Sequence, residues 1–479
     1  MFLRFGFAIG TLGFWGIILI VLLGHLVTIP TALAISEIAT NKRVEGGGEY
    51  FIISRSFGLN IGGTIGIALF LSQAISVAFY IIAFTEAFEF LFNWVSESWD
   101  FVLPRQAISI PVMLGLSAII LKKGANLGVK ALYVVVAILA LSLILFFLGS
   151  PTEAAPASYS LRDAEMKNMN DFFMVFAIIF PAFTGMTAGV GLSGDLKNPA
   201  KSIPWGTISA TVVGLIVYIF IIFKIAKSAS PQEMIDNQLI MSKVAIFGFL
   251  IIPLGLAAST VSSALGSVMV APRTLQALAA DRTFPSKKLN NFLAKGKSDN
   301  NEPFNATLVS CIIALFFVAL GDINAVAEII SMFFMLTYGS LCLISFLNHF
   351  GSSPSYRPSF KSRWYISLLG FVVAIWVMFK INTLYAAFAV GLIFLLYLYI
   401  NSYHKKRQGL SGIFINSLFQ LNRNLQVFLQ KKKSKNQGME WRPSAVCISK
   451  SGLERNSGFQ VLNWISYKYG FGTFIHKIS

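Results

Sequence analysis

Charge is what this sequence has least of. Asp, Glu, Lys and Arg together make up 12% of the 479 residues, hydrophobic residues make up 55%, and the mean hydropathy is +0.70. A soluble domain of this size has no use for so much apolar surface, so a soluble fold is excluded and an all-α polytopic membrane protein is expected. Acidic residues are scarcer still, 21 against 38 Lys and Arg, for a net charge of +17. The basic residues are spread between apolar runs rather than gathered in a patch. That spacing excludes nucleic acid as a partner and fits loops retained on the cytoplasmic side of a bilayer. Cysteine is nearly absent: Cys311 and Cys342 fall in apolar segments and Cys447 in a polar tail, so there is no disulfide framework. No nucleotide loop, metal-ligand cluster or nucleophile-base spacing occurs, which excludes an enzyme and any cofactor. Nothing resembling a cleavage site follows the first apolar run, so no cleavable signal peptide is read.

Long apolar runs are there instead. Phe5 to Ile35 carries no charge apart from a possible proton on His25. It is too long for one helix of about 20 residues and too short for two. A turn at Gly10 to Gly13 divides it into a short stub and one full helix, about 14 to 38. Ten further spans are expected at about 60 to 95, 106 to 121, 129 to 149, 170 to 194, 203 to 228, 244 to 280, 303 to 320, 323 to 347, 364 to 381 and 383 to 402. Basic loops, such as Lys122, Lys123 and Lys130 or Arg282 to Lys297, alternate with acidic or neutral ones, such as Glu97 to Asp100 and Asp322 to Glu328. The basic set is therefore cytoplasmic, which puts Met1 near mid-membrane and leads us to expect half a helix upstream of it.

Residues 1–402 thus form a transport domain of about eleven full spans plus a partial first span. Residues 403–440 read as a basic amphipathic linker, with Ile413 to Leu429 at helical spacing before Lys431, Lys432 and Lys433. Residues 441–479 read as the beginning of a cytoplasmic α/β domain: a strand at 445–449, a helix at 453–469 and a strand at 473–478. That unit cannot bury a core alone, so truncation at both ends is expected.

Inside the sixth span lies FPAFTGMTAGVGLSGD, residues 180–195, crowded with helix breakers. Hydrocarbon satisfies no freed backbone group, so a break at that depth must face protein or a wet cavity. Secondary transporters hold ions at such breaks. A proline-kinked helix with glycines for close packing is the alternative. Gly46, Gly47 and Gly48 read as a tight turn in a re-entrant or interfacial loop, Lys42 to Gly58. Glu86 and Glu89, three apart on one helix face, read as a solvated helix end or as a vestibule that attracts cations.

Five stretches in order, RVEGGGEYFIISRSFG, FPAFTGMTAGVGLSGDLKNPAKSIPWGT, SSALGSVMVAPRTLQALAADRTFP, IISMFFMLTYGSLCLISF and YRPSFKSRWYISLLG, resemble the cation-chloride cotransporters of the amino acid, polyamine and organocation superfamily. The resemblance implies two inverted five-helix repeats plus two further helices, with the first and sixth helices broken at the ion sites and the first only partly present here. It assigns potassium binding to Tyr80, Pro181 and Thr184. Bottom-up, the proline ring frees a carbonyl and the threonine adds a hydroxyl, oxygens that a hard monovalent cation takes. It assigns chloride to the amides of Gly185, Met186 and Thr187, where a half-helix begins, and to Tyr338. Phe183 and Thr187 depart from the family pattern. Sodium goes to Ser262 and Ser263 with the backbone of Ser259. Serines bonding one turn back along their own helix are the alternative there, and packing tyrosines are the alternative for Tyr80 and Tyr338.

The function this implies is secondary active transport coupling sodium and/or potassium to chloride, electroneutral and by alternating access, in the cell membrane with the tail cytoplasmic. The lipid bilayer and small inorganic ions are the partners, and a homodimer is expected from the family. An amino acid or polyamine permease on the same scaffold and a non-transporting membrane scaffold are the other readings. With half of the paired site upstream of Met1, residues 1–479 alone are expected not to transport.

Overall fold

An apolar run without alternation, placed where no water can bond its backbone, closes its hydrogen bonds within itself and becomes a helix. The computed structural model describes residues 4–41, 48–123, 126–153, 171–186, 198–237, 239–297, 301–351 and 356–404, with isolated positions at 155, 190, 196 and between 418 and 464. Its helices are α1 (Phe5–Asn41), α2 (Glu49–Phe57), α3 (Leu59–Thr85), α4 (Glu89–Trp99), α5 (Gln106–Lys123), α6 (Asn126–Leu148), α7 (Phe172–Ile179) and α8 (Pro199–Ser228). They continue as α9 (Pro231–Asp236), α10 (Ile240–Val244), α11 (Gly248–Ala280), α12 (Lys287–Ala294), α13 (Phe304–Leu320), α14 (Ile323–Gly351), α15 (Trp364–Ile381) and α16 (Thr383–Tyr403). Among the described residues the single β contact is an isolated bridge between Lys297 and Glu302.

Among the described residues, seven helical stretches are long and apolar enough to cross a membrane. Four shorter apolar helices, in α5, α6, α7 with the turn after it, and α13, stand where other spans were expected. The turn expected at Gly10 to Gly13 falls at Gly13, whose φ of 77° and ψ of 171° divide α1 into two helices. Only glycine takes that backbone without strain. Two expected spans are not continuous α-helices. The span from 60 turns through a 3-10 segment at Glu86–Phe88 after Thr85 and continues as amphipathic α4. In the span from 170 the α-helix ends at Ile179 and a 3-10 turn follows at Phe180–Phe183.

α3 lies against α11, α13 and α14, and α1 lies against α8, α14 and α15. α2 packs on α3 and is tied to the end of α11 through Asp281. Tyr50 donates to Asp281 Oδ2 at 2.8 Å, and both terminal nitrogens of Arg55 reach the same carboxylate at 3.1 and 3.2 Å. One planar guanidinium and one phenol on the same acid fix the helix end more firmly than a point charge does.

Residues 418–479 make a separate compact unit. Its described positions are helical. The two strands expected there, most of the helix between them, and the glycines at 46 and 47 lie outside the described residues.

Candidate ion-binding site

Proline has no N–H for the carbonyl four residues back, and its ring crowds that oxygen. For Pro181 the carbonyl is that of Ala177, and the Ser331 hydroxyl of α14 donates to it at 3.1 Å. The chain tightens into a 3-10 turn at Phe180–Phe183, Thr184 is extended, and Gly185 has φ 103°. A Cβ on Gly185 would meet nothing within 4 Å, so the backbone angle and not crowding calls for glycine. Met186 and Val190 are helical again. The α-helix of the sixth span is therefore interrupted by an irregular centre between Ile179 and Met186.

Two carbonyls of that centre have side-chain donors. Thr184 donates to the Pro181 carbonyl at 2.8 Å, and Tyr218 of α8 donates to the Ala182 carbonyl at 2.6 Å. Tyr80, buried on α3, bonds the Thr184 side chain. Tyr80, Pro181 and Thr184, expected together from sequence, thus form one chain of three neutral oxygens. Rings surround the centre: Phe183 lies 5.0 Å from His25, 5.3 Å from Tyr218 and 6.5 Å from Phe5, centroid to centroid. Such walls exclude water and strengthen any electrostatic contact inside them.

Of the residues expected to bind chloride, Gly185 and Met186 close the irregular centre, while Thr187 lies outside the described residues. Tyr338 is fully buried on α14, with its ring 6.4 Å from Phe180 and 5.6 Å from Phe334. It stands beside the break, on the side of the first half-helix. The α11 serines have the geometry of the packing alternative. Ser259 Oγ donates to the Leu256 carbonyl at 3.1 Å, and Ser263 Oγ donates to the Ser259 carbonyl at 2.9 Å. Ser262 is half-buried and Ser263 exposed, and one turn on a Cβ at Gly266 would meet nothing within 4 Å. The face of α11 that carries the serines is open.

The solvated helix end expected at Glu86 is corrected. Its carboxylate is 5% exposed, bonded to Arg4 and 3.6 Å from Arg105. A cavity lined by Arg4, Phe79, Ala83, Glu86, Leu256 and Asn324 adjoins it. Sequence reasoning also missed Tyr218 and Ser331. A serine or tyrosine within an apolar span looks the same whether it meets lipid or a freed carbonyl, so only the general rule that such a carbonyl needs a donor pointed to them.

A family model described as amino acid permease matches residues 1–441. The chain is 32% identical over 456 residues to solute carrier family 12 member 2 of Homo sapiens, covering 84% of this chain and 37% of that protein. It is 31% identical to solute carrier family 12 member 1 of Mus musculus, covering 84% and 41%, and 31% identical to solute carrier family 12 member 3 of Pseudopleuronectes americanus, covering 82% and 46%. It spans less than half the length of these curated relatives. They bear out the family resemblance drawn from the five motifs, and they are carriers and permeases rather than enzymes. With its break in the sixth span and its apolar helices, this multi-pass membrane chain belongs to the amino acid permease family, whose members are transporters.

Proposed function

We propose that this chain is the ion-translocating part of a cotransporter that couples sodium and/or potassium to chloride, electroneutrally and by alternating access. The observation that carries the reading is the chain of neutral oxygens at a helix break, from the Tyr80 hydroxyl to that of Thr184 and from Thr184 to the Pro181 carbonyl. Neutral oxygens suit a cation that must bind and leave within one cycle, since a carboxylate in the same place would hold it. The free amides at Gly185 and Met186, with Thr187 and Tyr338, supply the anion half; an anion there is favoured by the dipole of the half-helix it caps. Ser259, Ser262 and Ser263 supply sodium once their hydroxyls turn from their own helix to the open face.

On this reading the basic loops and the tail from residue 403 are cytoplasmic, residues 441–479 begin an α/β domain, and two copies pair in the membrane.

The test is rubidium uptake into vesicles carrying the full-length protein, with chloride replaced by gluconate and sodium by choline in turn. Uptake that requires chloride supports the reading. Uptake indifferent to chloride overturns it, and dependence on chloride without sodium overturns the sodium site alone. Labelled amino acid uptake that survives Tyr338→Phe would return the assignment to an amino acid carrier.

A further inference from the structure

Glu37 takes no part in the site above, yet its carboxylate is 1% exposed. It lies in the last turns of α1. Gly24 of the same helix meets Phe183 at the break, and the 13 residues from 24 to 37 span about 20 Å of helix. The two places are separate.

Four oxygens cluster here. Ser345 of α14 donates to Glu37 Oε2 at 2.9 Å, and Ser362, just before α15, donates to it at 2.5 Å. The Ser367 hydroxyl of α15 is 2.9 Å from that of Ser345 and 3.4 Å from that of Ser362, and Ser345 and Ser362 are 3.4 Å apart. Glu37 Oε1 is buried with no hydrogen-bond partner.

The charge on this carboxylate has few candidates to balance it. From α14, His349 Nε2 is 3.5 Å from Oε2, a cation only when protonated. From the segment before α15 comes the Tyr356 phenol, whose proton is held by burial and by the Glu37 charge itself. Lys361 and Arg363 of that segment are exposed. α15 offers the Ser367 hydroxyl, and on α1 the Thr40 hydroxyl turns back to the Glu37 carbonyl. A buried charge is paired or binds a metal.

We propose that Glu37, Ser345, Ser362 and Ser367 form a second cation site, for one sodium ion, at the end of α1 remote from the helix break. One carboxylate with neutral hydroxyls balances a single positive charge, whereas a divalent ion would leave the buried site with net charge. Size favours sodium over potassium. Ions with oxygen ligands at about 2.4 Å place adjacent octahedral oxygens about 3.4 Å apart, the separation of Ser362 from both other serines. The three shorter separations, 2.5 Å from Ser362 to Oε2 and 2.9 Å from Ser345 to Oε2 and to Ser367, widen by about 0.5 to 0.9 Å as the hydroxyl protons turn away from an entering ion. Bound there, sodium clamps α1 to α14 and α15 without touching the transported ions.

The purified full chain is unfolded by heat in detergent at pH 8, where an ordinary histidine is neutral, in choline chloride with sodium or potassium chloride added at constant ionic strength. Sodium is expected to raise the midpoint by several degrees at saturation, potassium much less. The rise is expected to persist in Ser262→Ala/Ser263→Ala, which removes the other candidate sodium ligands, and to vanish in Glu37→Gln. Ser362→Ala keeps the carboxylate and is expected to raise the half-saturating sodium concentration about tenfold. An undiminished sodium response in Glu37→Gln and Ser362→Ala overturns the site. So does a response lost in the α11 double variant, which would credit those serines. Stabilisation produced equally by pH 6 in choline and not by sodium overturns it in favour of a proton on the Glu37 and His349 pair.

Discussion

Tyr218 donates its hydroxyl to the carbonyl of Ala182 at 2.6 Å, from a helix that is otherwise a plain apolar span. That bond withdraws one carbonyl of the break from the ion and leaves Pro181 as the neighbouring acceptor. Tyr218→Phe keeps the ring against Phe5 and Phe183 and removes only the donor. We expect the half-saturating rubidium concentration to rise about five- to tenfold, the worth of one buried hydrogen bond, with half-saturating chloride unchanged. Equal shifts for both ions would mean that Tyr218 holds the whole fold rather than the cation half.

Gly185 has open space where a Cβ would go, so its φ of 103° alone sets the cost of substitution. Gly185→Ala is expected to destabilise by about 1–2 kcal/mol, and Gly185→Asn by less, because Asn tolerates positive φ. Thermal unfolding of the two variants checks this. The larger side chain being the worse one would show that space is limiting.

Arg4 and Glu86 join the first half of α1 to the end of α3. Arg4→Gln leaves the buried carboxylate with Arg105 alone at 3.6 Å. A loss of about 2 kcal/mol is expected, below the full cost of an orphaned buried charge because Arg105 remains. Glu86→Gln added to Arg4→Gln is expected to recover most of it. A double-mutant cycle in thermal unfolding measures this, and strictly additive losses would show that the two side chains do not interact.

Glu49, at the start of α2, is 2% exposed with neither oxygen bonded, and burial raises its pKa to about 8. Between about pH 4.5 and 8 the unfolded chain releases this proton and the folded chain keeps it. Stability therefore falls as pH rises through that window and is flat on either side. Glu49→Gln is expected to raise stability at pH 7.5, by up to about 4 kcal/mol at 1.36 kcal/mol per unit, and to flatten the pH profile. A variant no more stable than the parent at pH 7.5 would refute the buried neutral acid.

Composition and order alone determined that this is a bundle of apolar helices, that α1 is divided near Gly13, and that the sixth span breaks at Pro181. These follow from local physics. Hydropathy over about 20 residues makes a span, and a proline breaks the bonding of its own helix wherever it is placed. The family resemblance, not local physics, named Tyr80 as a partner of Thr184, and the fold brings the two together. Sequence reasoning did not find Ser331 on the Ala177 carbonyl, Tyr218 on Ala182, or Glu37 among three serines, and it read Glu86 as a solvated end. Each of these is a contact between residues 36 to 325 positions apart. Partner and burial at such separations exist only once helices pack, because a hydroxyl or a carboxylate in a span carries no mark of what will face it. The tertiary structure decided which freed carbonyls are already satisfied and which acids are buried. At the break it set the Thr184 hydroxyl on the Pro181 carbonyl and the Tyr218 hydroxyl on that of Ala182.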